Sequence, residues 1–432
     1  MTRLDNHAPT SSKTHLPLLL LGAGAPETRE YLLRQITRAR PVVLVDENPP
    51  SWAIPYTHAH ARINLRDTES ASAQLTTLAA RHRAVGITTY MEHFVQLAAG
   101  TAHLLGLPGL TPAAAGACRD KATTRRLLAE HGVPSALSYL AADTDQAVKI
   151  ADELGYPVVV KPRGHAGSAG VLRADSDEDV RAAVGRALTD SVLGLEGWAV
   201  PGVLVEEYIP GPEISVEAVV LDNPEHVRIA AVTRKSLGPE PQFQEVAHSV
   251  DAADPLLTDP VLAFVVTAAV RALGITRAVL HIELRLSPDG PRIIEVNGRP
   301  AGDLIPLLVE EATGINLPKA LAAVAAGGTP DLTPSRADAA AIGFLYPEHP
   351  GRIEHLALHG TLREQVWLER FVWTRTTGTH VSAPPHASID DRLAHWIVTG
   401  PTAEACARRR ALVTDHLSVH ISRPAHTTTC TT

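Results

Sequence analysis

The stretch from residue 278 to residue 301, AVLHIELRLSPDGPRIIEVNGRPA, constrains this chain most, because it reads as two alternating strands whose connecting turn is set by its own chemistry. In SPDGP, proline fixes φ, aspartate bonds its own backbone and glycine accepts positive φ. With residues 287 to 291 as the loop, Leu286 pairs with Arg292; antiparallel counting then places Glu283 opposite Glu295 and His281 opposite Asn297. Alternation sends Ile282, Leu284, Ile294 and Val296 to the other face, where they pack on a core. Carboxylates about 5 Å apart on one face repel unless one is protonated or a cation lies between them. A third oxygen ligand from Asn297 favours the cation, and an all-oxygen set favours magnesium, which also carries substrate phosphates when so few protein groups hold it. Arg299 follows on the same alternation, and its planar fork suits a carboxylate or a phosphoryl oxygen. Taken alone, the hairpin is equally an ordinary one with a solvated charged face. Partners elsewhere in the chain must decide.

The 432 residues, 45% of them hydrophobic, suffice for about two to four domains with real cores. Aromatic residues are only 4%, so alanine, leucine and valine fill the interior. A net charge of -8, mild and spread out, makes neither nucleic acid nor an anionic membrane an expected partner. Cys118, Cys406 and Cys430 lack metal-ligand spacing and suit a reducing cytosol, so a cytoplasmic location is expected. Lys13, LPLLLLG and Ala23-Gly-Ala25 have the outline of a signal peptide, but the apolar core is short and carries Pro17. A buried first strand ending in a glycine turn explains it equally well. No stretch approaches the length of a membrane span.

Residues 1–15 are a polar tail, expected to be disordered, and LPLLLLG at 16–22, PVVLVDEN at 41–48 and AVGITTY at 84–90 read as strands of a βαβ series. Gly22-x-Gly24 with Asp46 sketches a dinucleotide site, but Glu27 stands where its third glycine belongs. The first domain, residues 16–117, is therefore read as a doubly wound scaffold whose strand ends help to form a substrate site. Proline and glycine in 105–134 mark a crossing, after which YPVVVKP carries Lys161 at a strand end, followed by RGHAGSAG with Ser168. VLVEEYIPGPEISVEAVVL at 203–221 reads as two strands around a Pro-Gly-Pro turn, and TRKSLGPEPQFQEVAHSV is too long for a tight hairpin and becomes a candidate substrate loop. Beyond residue 320 the sequence shows no chemical constellation and reads as a further domain or lid.

A glycine-rich loop after a strand lysine is a phosphate cover, since small residues let backbone N–H groups approach oxygen. The order RDK at 119–121, VVVKPRGHAGSAGV at 158–171, VEEYIPGPEISVE at 205–217, HIEL at 281–284 and EVNGRPAGDLI at 295–305 resembles the ATP-grasp superfamily over about residues 20–320. Within it, TTYMEHF, ACRDK, LGPEPQFQEVAHS and NGRPAGDLI are similar to the carboxylate-amine ligases that join two L-amino acids, the bacilysin-type dipeptide ligases. The resemblance implies an α/β, ATP-grasp fold: an N-terminal doubly wound parallel-sheet domain, a two-lobed α+β ATP-grasp domain with lobes at 118–202 and 203–320, and a C-terminal α+β extension at 321–425 before a tail at 426–432.

It also implies site roles. Lys121, Lys161 and Ser168 face the ATP phosphates, the backbone around Glu206, Glu207, Tyr208 and Ile209 holds adenine between the lobes, and Glu213 takes the ribose hydroxyls. Glu283, Glu295 and Asn297 hold two magnesium ions, with manganese admissible, and Arg299 faces the reacting carboxyl. Glu245, His248 and Gly302 join Arg299 around the substrates. His281 either orients an intermediate or serves as a plain hydrogen-bonding residue; Glu92 either holds a substrate ammonium or is a surface glutamate. The implied reaction joins an amino acid carboxylate to an amine through an acyl phosphate, with small molecules as the only partners and a homodimer left open. A purine-pathway or biotin-carboxylase-like enzyme and an inactive nucleotide-binding regulator are the rival readings. The chain departs from the family pattern at Ala247 and Ala301, both expected beside the substrate pocket.

Overall fold

The computed structural model describes residues 16–164, 167–189, 200–384 and 386–423. Both tails and Cys430 lie outside the described residues. Four parallel strands, in the order Ala59–Arg62, Val42–Asp46, Leu18–Leu21 and Gly86–Thr88, form the first sheet. Its central strands are apolar up to the terminal Asp46 because helices cover both faces. Leu18, Leu20, Val42 and Leu44 join one core with Leu32, Leu33 and Ile36 of helix Pro26–Ala39. Leu19, Leu21, Val43 and Val45 join a second with helices Thr68–His82 and Val95–Leu104. Strand Ala59–Arg62 was not legible, since an edge strand reading AHAR carries no apolar run.

Three antiparallel sheets follow, one of them a small sheet of strands His380–Val381, Gly351–Leu358 and Leu417–Ser422. Of the other two, the smaller orders Ser138–Ala141, Val203–Glu207, Val158–Pro162 and Leu172–Ala174 under helices Thr144–Leu154 and Asp177–Thr189. The larger has eight strands in the order Gly290–Asn297, Ala278–Ser287, Glu213–Leu221, Asn223–Leu237, Glu245–Asp251, Ala339–Leu345, Ala394–Gly400 and Leu368–Trp373. Three strands beyond residue 320 thus continue a sheet begun at residue 213.

Pro210-Gly211-Pro212 corrects the expected hairpin, because Val203–Glu207 belongs to the smaller sheet and Glu213–Leu221 to the larger. The segment crosses between sheets. Gly211 has φ +111°, and a Cβ there would lie 2.1 Å from the carbonyl oxygen of Leu286, so only glycine permits this approach.

The hairpin at 278–297 also corrects its expected register near the turn. Ser287 pairs with Gly290 and Leu286 with Pro291, not with Arg292, and a bulge at Ile294 absorbs the extra residue before Glu283 meets Glu295 and His281 meets Asn297. Ile293 consequently takes the core position expected for Ile294. Ile294 lines the cavity instead.

Candidate active site

A cavity of about 620 Å³ opens where the strand ends of the parallel sheet meet the four-stranded and eight-stranded antiparallel sheets, and every site residue named above lines it. The long hairpin from Asn223–Leu237 to Glu245–Asp251 closes one side. Its tip reaches the smaller sheet, where the Arg173 backbone N–H donates to Pro241 O at 2.9 Å and the Tyr208 hydroxyl donates to Glu240 at 2.6 Å. The expected substrate loop therefore seals the cavity between lobes.

On the floor, Glu283 and Glu295 stand directly opposed, with Asn297 next along the same face. Each carboxylate meets a cation: Lys235 Nζ at 2.7 Å and His281 Nε2 at 3.0 Å from Glu283, and Lys121 Nζ at 2.9 Å from Glu295. The other ring nitrogen of His281 lies 3.0 Å from Glu217. Burial alone would lower the His281 pKa, but Glu217 and Glu283 outweigh it and raise it to about 9, so the ring is an imidazolium at neutral pH. His281 is thus a charged clamp on Glu283, which is more than a plain hydrogen bond. Burial likewise disfavours charge on Lys235, yet Glu245, Glu283 and Glu213 hold its pKa well above the usual lysine range.

At one end of the cavity, Lys161 Nζ lies 2.5 Å from Glu206, which also receives a two-point fork from Arg125 at 2.8 and 3.1 Å. The Glu206 side chain therefore positions two cations; Tyr208 and Ile209, past the strand end, line the crossing between sheets. Burial, with Arg125 beside it, lowers the Lys161 pKa to about 8. Burial would raise Glu206, but Arg125 and Lys161 bring it down to about 2. Gly167 and Ser168 of the following loop have φ of +67° and +56°, a paired left-handed conformation that turns the backbone towards the cavity.

At the far end, Arg299 Nε donates to Glu92 at 2.5 Å, and Arg119 lies 4.0 Å from the same carboxylate. Glu92 is 8% exposed. It corrects the surface reading, since this carboxylate is buried at the cavity wall against two guanidiniums. Asp303 accepts a two-point fork from Arg392 at 2.8 and 2.9 Å, His248 Nε2 lies 3.3 Å from Asp303, and Glu245 sits 3.7 Å from the same histidine nitrogen. Ala247 and Ala301, expected beside the pocket, do not line it; both are buried, and Ala301 packs in the core of helix Pro26–Ala39.

Lys235, Asp303, Arg392, Arg125 and Arg29 escaped the sequence reading. Lys235 had a signal, the alternation of a lone lysine in TRKS, but its three carboxylates come from three different strands. The family model of the ATP-grasp domain matches residues 154–306. An uncharacterized protein of Sinorhizobium fredii, y4rH, is 29% identical over 302 residues, covering 68% of this chain and 60% of that protein. Carnosine synthase 1 of Gallus gallus is 29% identical over 350 residues, covering 74% of this chain and 36% of that protein. The chain thus spans less than two thirds of the length of either relative. The L-amino acid ligase from Bacillus licheniformis superposes with a TM-score of 0.79 at 22% identity, over 95% of this chain and 100% of that one, and so shares the fold.

Proposed function

We propose, from the premise that this chain is an ATP-grasp protein, that it is an ATP-dependent carboxylate-amine ligase, joining an amino acid carboxylate to an amine and releasing ADP and phosphate. The observation that carries the reading is one cavity holding opposed carboxylates on its floor, two lysines at one end and an arginine fork at the other. Such a series matches the charges along a nucleotide triphosphate and the acid it phosphorylates. Both substrates are small molecules. Among the described residues no helix is long and apolar enough to cross a membrane.

Glu283, Glu295 and the carbonyl oxygen of Asn297 fit magnesium, because they are hard oxygen donors on one face, and the Asn297 side chain has no other partner among the described residues. Bound there, the metal neutralises phosphate charge. Lys121 and Lys161 supply point charges to the phosphates, while Glu206 and Arg125 hold Lys161 in place. His281 fixes Glu283, and Glu92 fixes Arg299 so that the remaining guanidinium edge aligns the acceptor carboxylate with the γ-phosphate. That carboxylate oxygen attacks the γ-phosphorus and ADP leaves as the β,γ P–O bond breaks; the amine then attacks the carbonyl carbon of the acyl phosphate, and loss of phosphate and of the amine proton gives the amide.

ADP release measured across pairs of amino acids and amines, with mass detection of products, tests this. An amide appearing in proportion to ADP is the expected result; ADP release that ignores the amine contradicts it.

Two further outcomes follow from the phosphate end. Lys161 binds phosphate as the ammonium, and its pKa of about 8 rises when an anion is bound. ADP affinity measured calorimetrically without metal is therefore full below pH 8 and falls above it, by at most about tenfold per pH unit. Lys161→Gln removes that slope; an unchanged slope in the variant assigns it to another group. Hydrogen exchange at residues 167–171 is expected to slow when Mg-ATP binds, as phosphate contacts offset the entropy of fixing glycine. Equal exchange with and without nucleotide counts against a phosphate-covering loop.

A further inference from the structure

Arg29, in the first turn of helix Pro26–Ala39, lines the same cavity at its far end. Its Nη1 is buried without a hydrogen-bond partner, and its guanidinium has no ion pair among the described residues. The nearest aromatic group, the Tyr90 ring, lies 5.8 Å from it, and the Tyr90 hydroxyl already donates to Ala23 O. The neighbouring carboxylates are committed elsewhere: Glu92 to Arg299, and Asp303 to Arg392. The residue as a whole is half-buried, but a guanidinium nitrogen shielded from water without a partner is costly, and burial together with Arg299 lowers the Arg29 pKa to about 10. Ala25 caps the helix without a side-chain bond, so the positive end of a 14-residue dipole adds to the same field. Space for a ligand exists, because Gly302 has no side chain and Nη2 lies 4.0 Å from where its Cβ would be.

Arg299 already has a counter-ion in Glu92 and donates to the carbonyl oxygen of Pro300, so Arg29 is a separate cation at this end of the cavity, with a nitrogen that nothing in the protein satisfies. We propose that Arg29 receives a second carboxylate of the substrates, one that is not phosphorylated, which deepens the ligase reading and rests on it. Two sources share this chemistry: the α-carboxylate of an amino acid serving as the amine, and the second carboxylate of a dicarboxylic acid substrate.

The test compares wild-type protein, Arg29→Gln and Arg29→Lys in ADP release and product mass. One arm pairs L-alanine, L-histidine and L-phenylalanine with ethylamine, histamine and phenethylamine as amines; the other pairs L-aspartate and L-glutamate with L-alanine as acids. Arg29→Gln is expected to raise KM on the order of a hundredfold for the substrate bearing the extra carboxylate. KM for ATP and for the carboxyl-free analogue stays unchanged, and Arg29→Lys recovers part of the loss. The arm in which this occurs identifies the source. Equal losses for a carboxylate-bearing substrate and its analogue, or a loss confined to ATP, overturn the proposal. If wild-type protein joins no pair, the ligase reading fails separately, and calorimetric titration of the same amino acids decides on Arg29. Binding that is weakened in Arg29→Gln supports its role, and equal binding overturns it.

Discussion

Glu295→Ala lowers turnover below about one hundredth of the wild-type rate while the protein stays folded. Glu295 lies on the cavity face of its strand, directly across from Glu283, and belongs to none of the apolar clusters, whereas its neighbours Ile293 and Val296 do. Removing it deletes one of the proposed metal ligands and releases Lys121 from a 2.9 Å ion pair. On the proposed reading the γ-phosphate would then lose charge neutralisation and the placement of one of its lysines. ADP release under saturating substrates and a thermal unfolding scan measure the two halves of the claim. A variant retaining more than about a tenth of the rate has lost less than about 1.4 kcal/mol of transition-state stabilisation, too little for a metal ligand.

Arg299→Lys separates nucleotide binding from amide formation. The Arg299 guanidinium is oriented by Glu92 at Nε and donates from Nη1 to the carbonyl oxygen of Pro300 at 2.8 Å. A carboxylate about to be phosphorylated presents paired oxygens that a planar fork aligns and an ammonium does not. Lysine keeps the charge and loses the geometry. Nucleotide contacts around residues 206–213 are untouched, so ATP affinity changes by less than about threefold, while amide formation falls on the order of a hundredfold. Nucleotide titration beside product formation reads the difference. If both fall by one factor, Arg299 serves the nucleotide.

The sequence carried the local patterns well. The runs LLLL and VVLV announced a parallel sheet covered on both faces, and the alternation of His281, Glu283, Glu295 and Asn297 announced a polar floor. The register near SPDGP misled because a tighter turn and a bulge at Ile294 cancel, leaving the chemical pairs where counting put them and moving only the core positions. Pro210-Gly211-Pro212 misled for another reason: proline and glycine mark a change of direction without saying which sheet each flanking strand joins.

What stayed hidden was electrostatic. Glu92 was visible in TTYMEHF, but its burial between Arg299 and Arg119 depends on segments some 27 and 207 positions away. Lys235 and Asp303 draw their partners from several elements, and no periodicity records such convergence. Arg29 was passed over because a basic residue on an amphipathic helix usually faces solvent. Here the helix begins at the cavity rim, and that placement follows from the sheet topology.

On the proposed pathway a substrate carboxylate oxygen takes the γ-phosphoryl group before the amine arrives at the carbonyl carbon. The most direct measurement supplies the acid substrate labelled with oxygen-18 in its carboxylate, together with ATP, magnesium and the amine, and determines the mass of the phosphate and nucleotide released. One labelled oxygen in each phosphate, with unlabelled ADP, is the predicted result. Label in AMP, or phosphate without label, would contradict it.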